Sequence, residues 1–241
     1  MIPLREAKPL TTDFYDRDPR RVARALLGKL LIRKTANEIL AGRIVETEAY
    51  LGTGDEAAHS FAGKTERNSV LFGPPGFAYV YFIYGSYYCF NVSCLPDGEA
   101  GGVLFRALEP VTGIEAMAKA RNVNPLQLQP QIPNSRNEIV RERGSPRDKA
   151  RLDRKRLLFL RSLSSGPGRM CEALGITRAR DNGKNLTSSR SDLQLVDDGF
   201  RVRRVAIGPR IGITKSPHEE LRYLIADNPF VSIPLRKAIK A

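Results

Sequence analysis

The chain has 241 residues, 41% of them hydrophobic and 27% charged, enough for one globular domain to bury most of the surface that its unfolded form would expose. No apolar run reaches membrane-spanning length, and the N-terminal stretch lacks the apolar core and small-residue cleavage site of a signal peptide; this excludes a spanning helix and a secretory leader and sets a cytoplasmic expectation, nucleoid-associated in a bacterium or nuclear in a eukaryote. Three cysteines, Cys89, Cys94 and Cys171, odd in number and irregular in spacing, exclude a disulfide framework.

The net charge is +13 and the pI near 10.0. Residues 1–120 carry 14 Lys+Arg against 14 Asp+Glu, and residues 121–241 carry 25 against 12, so the whole excess (25 − 12 = 13) lies in the second half. Such segregation points to a charged face and a polyanionic partner, nucleic acid before a membrane surface, because no basic amphipathic helix with a bulky apolar side stands out.

In chain order, "DPRRVARALLGKLLIRK" gives a short helix with Asp18 as N-cap, Pro19 at its first position and Gly28 as its stop, followed by a strand. Residues 39–50, "ILAGRIVETEAY", read as a strand, and "GTGDEAAHSFAG" as a one- or two-turn helix between glycines. After the "GPPG" break at 73–76, residues 77–84 and 87–94 form a hairpin about Gly85-Ser86, with five of the eight tyrosines crowded between Tyr79 and Tyr88. "GGVLFRALEP" supplies a further strand and "VTGIEAMAKARNV" a helix from Thr112. Residues 122–150 read as an extended, flexible loop, and 141–161 carry nine Lys/Arg against three acids, either a solvated helix face or a phosphate contact. "SSGPGRMCEALGIT" starts a helix at Ser165 and Pro167 and stops it at Gly175, and "FRVRRVAIGPRIGITK" closes the chain with one or two strands bearing Arg on their polar positions.

Several residues could carry chemistry. Tyr84, at the hairpin tip, is either covered by neighbouring loops or a wedge that enters a nucleic-acid duplex. Tyr79, Tyr81 and Ile83 share one face of the first hairpin strand, and Tyr87, Cys89 and Asn91 one face of the second. Asn91 serves equally well as a cross-strand amide or a base-edge contact. On a regular strand Ile44, Glu46, Glu48 and Tyr50 share a face; the two glutamates are then solvated edge residues, a general base beside apolar walls, or a glycosidase pair. His59 is more often a structural hydrogen-bonding group, no Cys/His pair has zinc spacing, and no phosphate loop, dinucleotide glycine motif or serine elbow occurs, so no metal or cofactor is expected.

Taken together, "GRIVETEAYLGTGDEAAHSFAGKTERNSVLF", "YVYFIYGSYYCFNVSC" and "VLFRALEP" resemble the core of the alkyladenine type of 3-methyladenine DNA glycosylase. The likeness runs from Leu27 to Arg121 and resumes at "SSGPGRMCEALGI" and "NPFVSI"; the basic stretch 122–160 has no counterpart in it. The resemblance implies one α+β domain over residues 1–241, with a curved, largely antiparallel sheet, flanking helices, a projecting hairpin and that stretch as an insertion. It implies a monomeric, monofunctional enzyme of base excision repair that flips alkylated or deaminated purines out of duplex DNA and hydrolyses the N-glycosidic bond, leaving an abasic site. By matched position Glu48 activates the water, Tyr50, His59, Tyr81 and Asn91 form the base pocket, and Tyr84 intercalates. Arg106, Arg169 and Arg210 are then contacts to the DNA or the extruded nucleotide, and Glu46 is supporting or structural. Ser86 departs from relatives that carry a bulky residue beside the wedge. Two rival readings are a catalytically silent nucleic-acid-binding module and a glycoside hydrolase using both glutamates.

Overall fold

The structure, a computed structural model, describes residues 4, 7–83, 85–124 and 146–235. Among them eight strands make one sheet: β1 (Leu30–Lys34), β2 (Ile39–Tyr50), β3 (Ala78–Ile83), β4 (Tyr87–Ser93), β5 (Gly102–Thr112), β6 (Leu193–Val196), β7 (Val205–Gly208) and β8 (Arg222–Ile225). The main path runs β3-β4-β5-β2-β1-β6, and β8 pairs with both β2 and β7. All pairings are antiparallel. Among the described residues six helices flank the sheet: α1 (Thr12–Tyr15), α2 (Pro19–Leu26), α3 (Ile114–Ala120), α4 (Pro146–Ser164), α5 (Pro167–Ala173) and α6 (Arg178–Asp181). The α+β class and the curved antiparallel sheet follow the expectation.

Local chemistry explains the elements. Asp18 caps α2 by accepting the Arg20 amide at 2.8 Å, Pro19 fills the first turn, and Gly28 turns the chain at φ +82°. The main core lies between the sheet and α2, α3 and α5, with Leu26, Leu31, Phe90, Phe105, Met117 and Met170 buried in it. Phe90 and Phe105 stack there with ring centres 4.7 Å apart.

Four readings are corrected. The stretch after Tyr50 is one 3₁₀ turn, Gly52–Gly54, followed by bends, because the Asp55 carboxylate takes the amides of Leu51 and Ala57 and draws the chain out of helix. Gly52 itself sits at φ +85°, where an added Cβ would come within 1.8 Å of the Ala100 carbonyl oxygen. Strand β5 runs through Thr112, and α3 starts at Ile114 after left-handed Gly113. Helix α5 is capped by Gly166 at φ 127°, while Ser165 Oγ donates instead to the Val231 carbonyl at 3.2 Å. The extended loop read at 122–150 is helical from Pro146; residues 125–145 lie outside those described. The closing segment, read as one or two strands, agrees with its reading: it holds one short strand, β7, before the chain turns inward at Arg210.

The most consequential departure is in β2. Its register against β5 shifts between Ile44 and Glu46, then back between Glu46 and Thr47. The first shift leaves Val45 unopposed and the second leaves Arg106 unopposed, two bulges in succession. Ile44 therefore packs into the main core with Ala49, and Thr47 bonds to the Ala23 carbonyl of α2 at 3.0 Å. Glu46 and Glu48 point to the opposite side, so Ile44 does not share their face as a regular strand would have it.

Candidate active site

On that side the hairpin β3–β4, the β5 bulge, the 52–60 turn and the 211–213 loop enclose a cavity of about 390 Å³. Tyr79, Tyr81, Ile83, Cys89 and Asn91 line it together, as their alternation along the two strands requires. Tyr50, His59, Leu104, Arg106, Pro167 and Ile211 are also part of the wall.

Glu48 is fully buried, and every group that holds it belongs to this wall. Its Oε1 accepts from the Ile211 amide at 2.8 Å and meets Arg106 Nη1 at 3.2 Å, and its Oε2 accepts from the Tyr50 hydroxyl at 3.1 Å. Burial raises its pKa above the ordinary glutamate value, against the opposing pull of Arg106, the Ile211 amide and Tyr50. Burial works against the Arg106 charge, yet Glu48 and Glu46 together hold its pKa above the usual guanidinium value. The Tyr50 hydroxyl is held protonated by burial and by the neighbouring Glu48.

The aromatic wall is ordered by its own polar tips. His59 sits at the rim with its Nδ1 2.9 Å from the Tyr79 hydroxyl and its ring 4.4 Å from that of Tyr81, centre to centre. Partial burial and nearby Arg67 lower its pKa, which keeps the imidazole neutral at physiological pH. Burial pushes the Cys89 thiol up to about 11, so it stays a thiol. Asn91 Nδ2 donates to the Tyr79 carbonyl at 3.3 Å, which leaves its amide oxygen for the cavity that it lines. Asn91 is thus a cross-strand amide of the hairpin that also lines the cavity.

The structure brings together Glu48, Tyr50, His59, Tyr81, Asn91 and Arg106. Arg169 is exposed on α5, beside Arg121 and two residues from cavity-lining Pro167. Arg210, expected at a DNA contact, is buried: its guanidinium grips Asp55 and lies 4.7 Å from the ring centre of Tyr50, so it supports the wall from behind. Tyr84 lies outside the described residues. Sequence reasoning passed over Tyr79 and Cys89 as wall residues, although their face was legible from strand alternation. Ile211, which reaches Glu48 from 163 residues away in sequence, left no local signal.

An aromatic-lined cavity of this size, with a fully buried carboxylate held directly by groups of its wall, defines an enzyme cleft built to hold a ring near an acid–base group. A profile of the methylpurine-DNA glycosylase family matches residues 13–229. The chain is 54% identical over 229 residues, 95% of each chain, to a putative 3-methyladenine DNA glycosylase of Koribacter versatilis. It is 38% identical to relatives of the same name from Alkaliphilus oremlandii, over 92% of this chain and 98% of that one, and from Clostridium botulinum, over 93% and 98%. The chain belongs to the methylpurine-DNA glycosylase family, and with it to the hydrolases that act on N-glycosyl bonds. The match spans the basic stretch that the resemblance alone had left unaligned.

Proposed function

We propose that this enzyme excises alkylated purines from duplex DNA, with Glu48 as the base that activates water. The observation that carries the reading is the placement of Glu48: fully buried, with Arg106, Tyr50 and the Ile211 amide around it, all of them cavity wall. A base swung out of the helix fits among Tyr50, Tyr81 and His59. A purine alkylated at N3 or N7 is cationic, and electron-rich rings favour such a face.

Glu48 takes a proton from water as the water oxygen bonds to the sugar C1′. The N-glycosidic bond breaks with its electron pair going to the purine, which leaves neutral and needs little acid assistance. The carboxylate also stabilises positive charge developing on the sugar. Asn91 reads the base edge, and Arg169 and the basic first half of α4 meet phosphates. Tyr84, between Ile83 and Gly85, fills the space left by the extruded base; Tyr84→Ser then weakens binding to duplexes with an extruded base far more than to unmodified DNA.

Incubation with alkylated duplex DNA followed by chromatography of the released purines tests the activity. Free methylpurine in proportion to abasic sites is the expected result; a protein that binds DNA and releases none is instead a binding module.

A further inference from the structure

A buried chain of alternating charges runs from the cavity to the C-terminal segment. Arg106 stands between two carboxylates at equal distance, Nη1 to Glu48 and Nε to Glu46, both 3.2 Å. Glu46 is itself fully buried and lines no part of the cavity. Its Oε1 also accepts from Arg222 Nη1 at 2.9 Å and from Ser232 Oγ at 2.9 Å, and its Oε2 accepts from the Ser232 amide. Arg222 Nη1 is anchored in turn on the Ile233 carbonyl at 2.9 Å. Two bulges accompany this arrangement: the one at Val45 turns Ile44 off the face that Glu46 and Glu48 share by alternation, and the one at Arg106 leaves that residue unopposed beside them.

We propose that Glu46, held by Arg222 and Ser232, is a positioning residue that sets how much of the Arg106 charge reaches Glu48 and so the pH at which the base is ionised. The inference rests on the reading of Glu48 as that base. Burial of ion pairs is weak ground for stability, since their desolvation offsets the attraction, and an apolar cluster could fill the same volume. What the four charges do provide is a divided cation. Arg106 cannot approach one carboxylate without leaving the other, and the Arg222–Ser232 clamp decides how strongly Glu46 competes.

The groups facing Glu48 make Arg106 the controlling one. From its own strand come Tyr50, protonated, and Glu46; from β4 comes the Cys89 thiol; from the 211 loop comes an uncharged amide. Arg222 is opposite Glu48 in the β2–β8 register, but its Nη1 is engaged by Glu46. Arg210 lies behind Tyr50 with its guanidinium held by Asp55.

The test is single-turnover excision at saturating enzyme over about pH 5 to 9, with the midpoint of the acid limb as readout. Glu46→Gln removes an anion and frees Arg106 for Glu48, so the midpoint moves down by about 0.5–1 unit. Arg222→Gln leaves Arg106 as the remaining cation of Glu46, draws it away, and moves the midpoint up by a similar amount. Ser232→Ala shifts it upward more weakly and serves if Arg222→Gln does not fold. Opposite signs are the signature, because a purely structural role lowers stability in each variant and moves no midpoint. Midpoints that stay in place, or move in one common direction, overturn the inference. Glu48→Gln, run alongside, separates the two failures: wild-type excision by it defeats the base itself, whereas its inactivity with unmoved midpoints elsewhere defeats only the positioning role of Glu46.

Discussion

Asp55 and Arg210, 155 residues apart, form a two-pronged ion pair at 2.5 and 2.9 Å with both side chains fully buried. The pair binds the turn that carries His59 to the loop that carries Ile211. Asp55 also accepts the amides of Leu51 and Ala57, and Arg210 Nη1 donates to the Ala49 carbonyl at 3.2 Å. Removing Asp55 leaves the buried Arg210 with the longer carboxylate contact, to half-exposed Glu219 at 3.6 Å, so Asp55→Ala should cost about 3 kcal/mol in chemical denaturation. The double variant Asp55→Asn with Arg210→Gln should lose clearly less than the sum of the two single changes. Additive losses would show that the two side chains do not act as one unit.

Glu48→Gln should retain DNA affinity and lose at least about 10²-fold in single-turnover excision, the low end of what a positioned base supplies. It should also be more stable than the wild type at neutral pH. The folded pKa of Glu48 is raised by burial, so the folded state holds the proton more tightly than the unfolded chain, and ionisation is a net cost to folding at high pH. That cost is fully present above the folded pKa and fades as pH falls through it. Thermal melts of both proteins should therefore diverge at neutral pH and converge in acid. A variant less stable at neutral pH than in acid, relative to wild type, contradicts the sign.

Excision itself should fail in acid for the same reason. The base works ionised, and burial places its pKa above the ordinary value of 4.5, with Arg106 opposing the shift. The acid limb of the rate profile should therefore have its midpoint above that value. Arg106→Gln should push it higher still, since the cation that favours the carboxylate is gone. A limb unmoved by that change would mean that another group titrates.

The hairpin beside the cavity could be read from sequence because alternation fixes the face of each hairpin residue. Parity alone put Tyr79, Tyr81 and Ile83 on one face of the first strand and Tyr87, Cys89 and Asn91 on one face of the second; all but Tyr87 line the cavity. Parity failed at Ile44, since one unopposed residue, Val45, reverses every face beyond it, and neither Val45 nor its immediate neighbours Ile44 and Glu46 is a glycine or proline that would announce a bulge. The placement of Arg210 failed for a different reason. An arginine in a basic, alternating segment is ordinarily exposed, and what buries this one is a carboxylate 155 residues away. The same distance hides Ser232 and Ile211, which touch the glutamates only once the sheet is assembled.

Helix α4 carries the last prediction. Its 19 residues span about 28 Å. Phe159 and Leu163 anchor its second half in the core, and Ser164 Oγ bonds the Leu108 carbonyl at 2.8 Å, three residues before cavity-lining Pro167. Residues 149–156 are exposed on every side and hold Lys149, Arg151, Arg154, Lys155 and Arg156 against one acid, Asp153. A helix segment that buries no face and bears this excess is suited to phosphates flanking the lesion. Each phosphate neutralised contributes about 0.9 to the slope of log affinity against log salt, so glutamine at all five positions should flatten that slope by about 2–4. The excision rate at saturating enzyme should stay unchanged, because none of the five reaches the cavity wall. An unaltered salt slope would mean that the charges merely solvate the helix, and a slower saturated rate would mean that α4 shapes the site through Pro167.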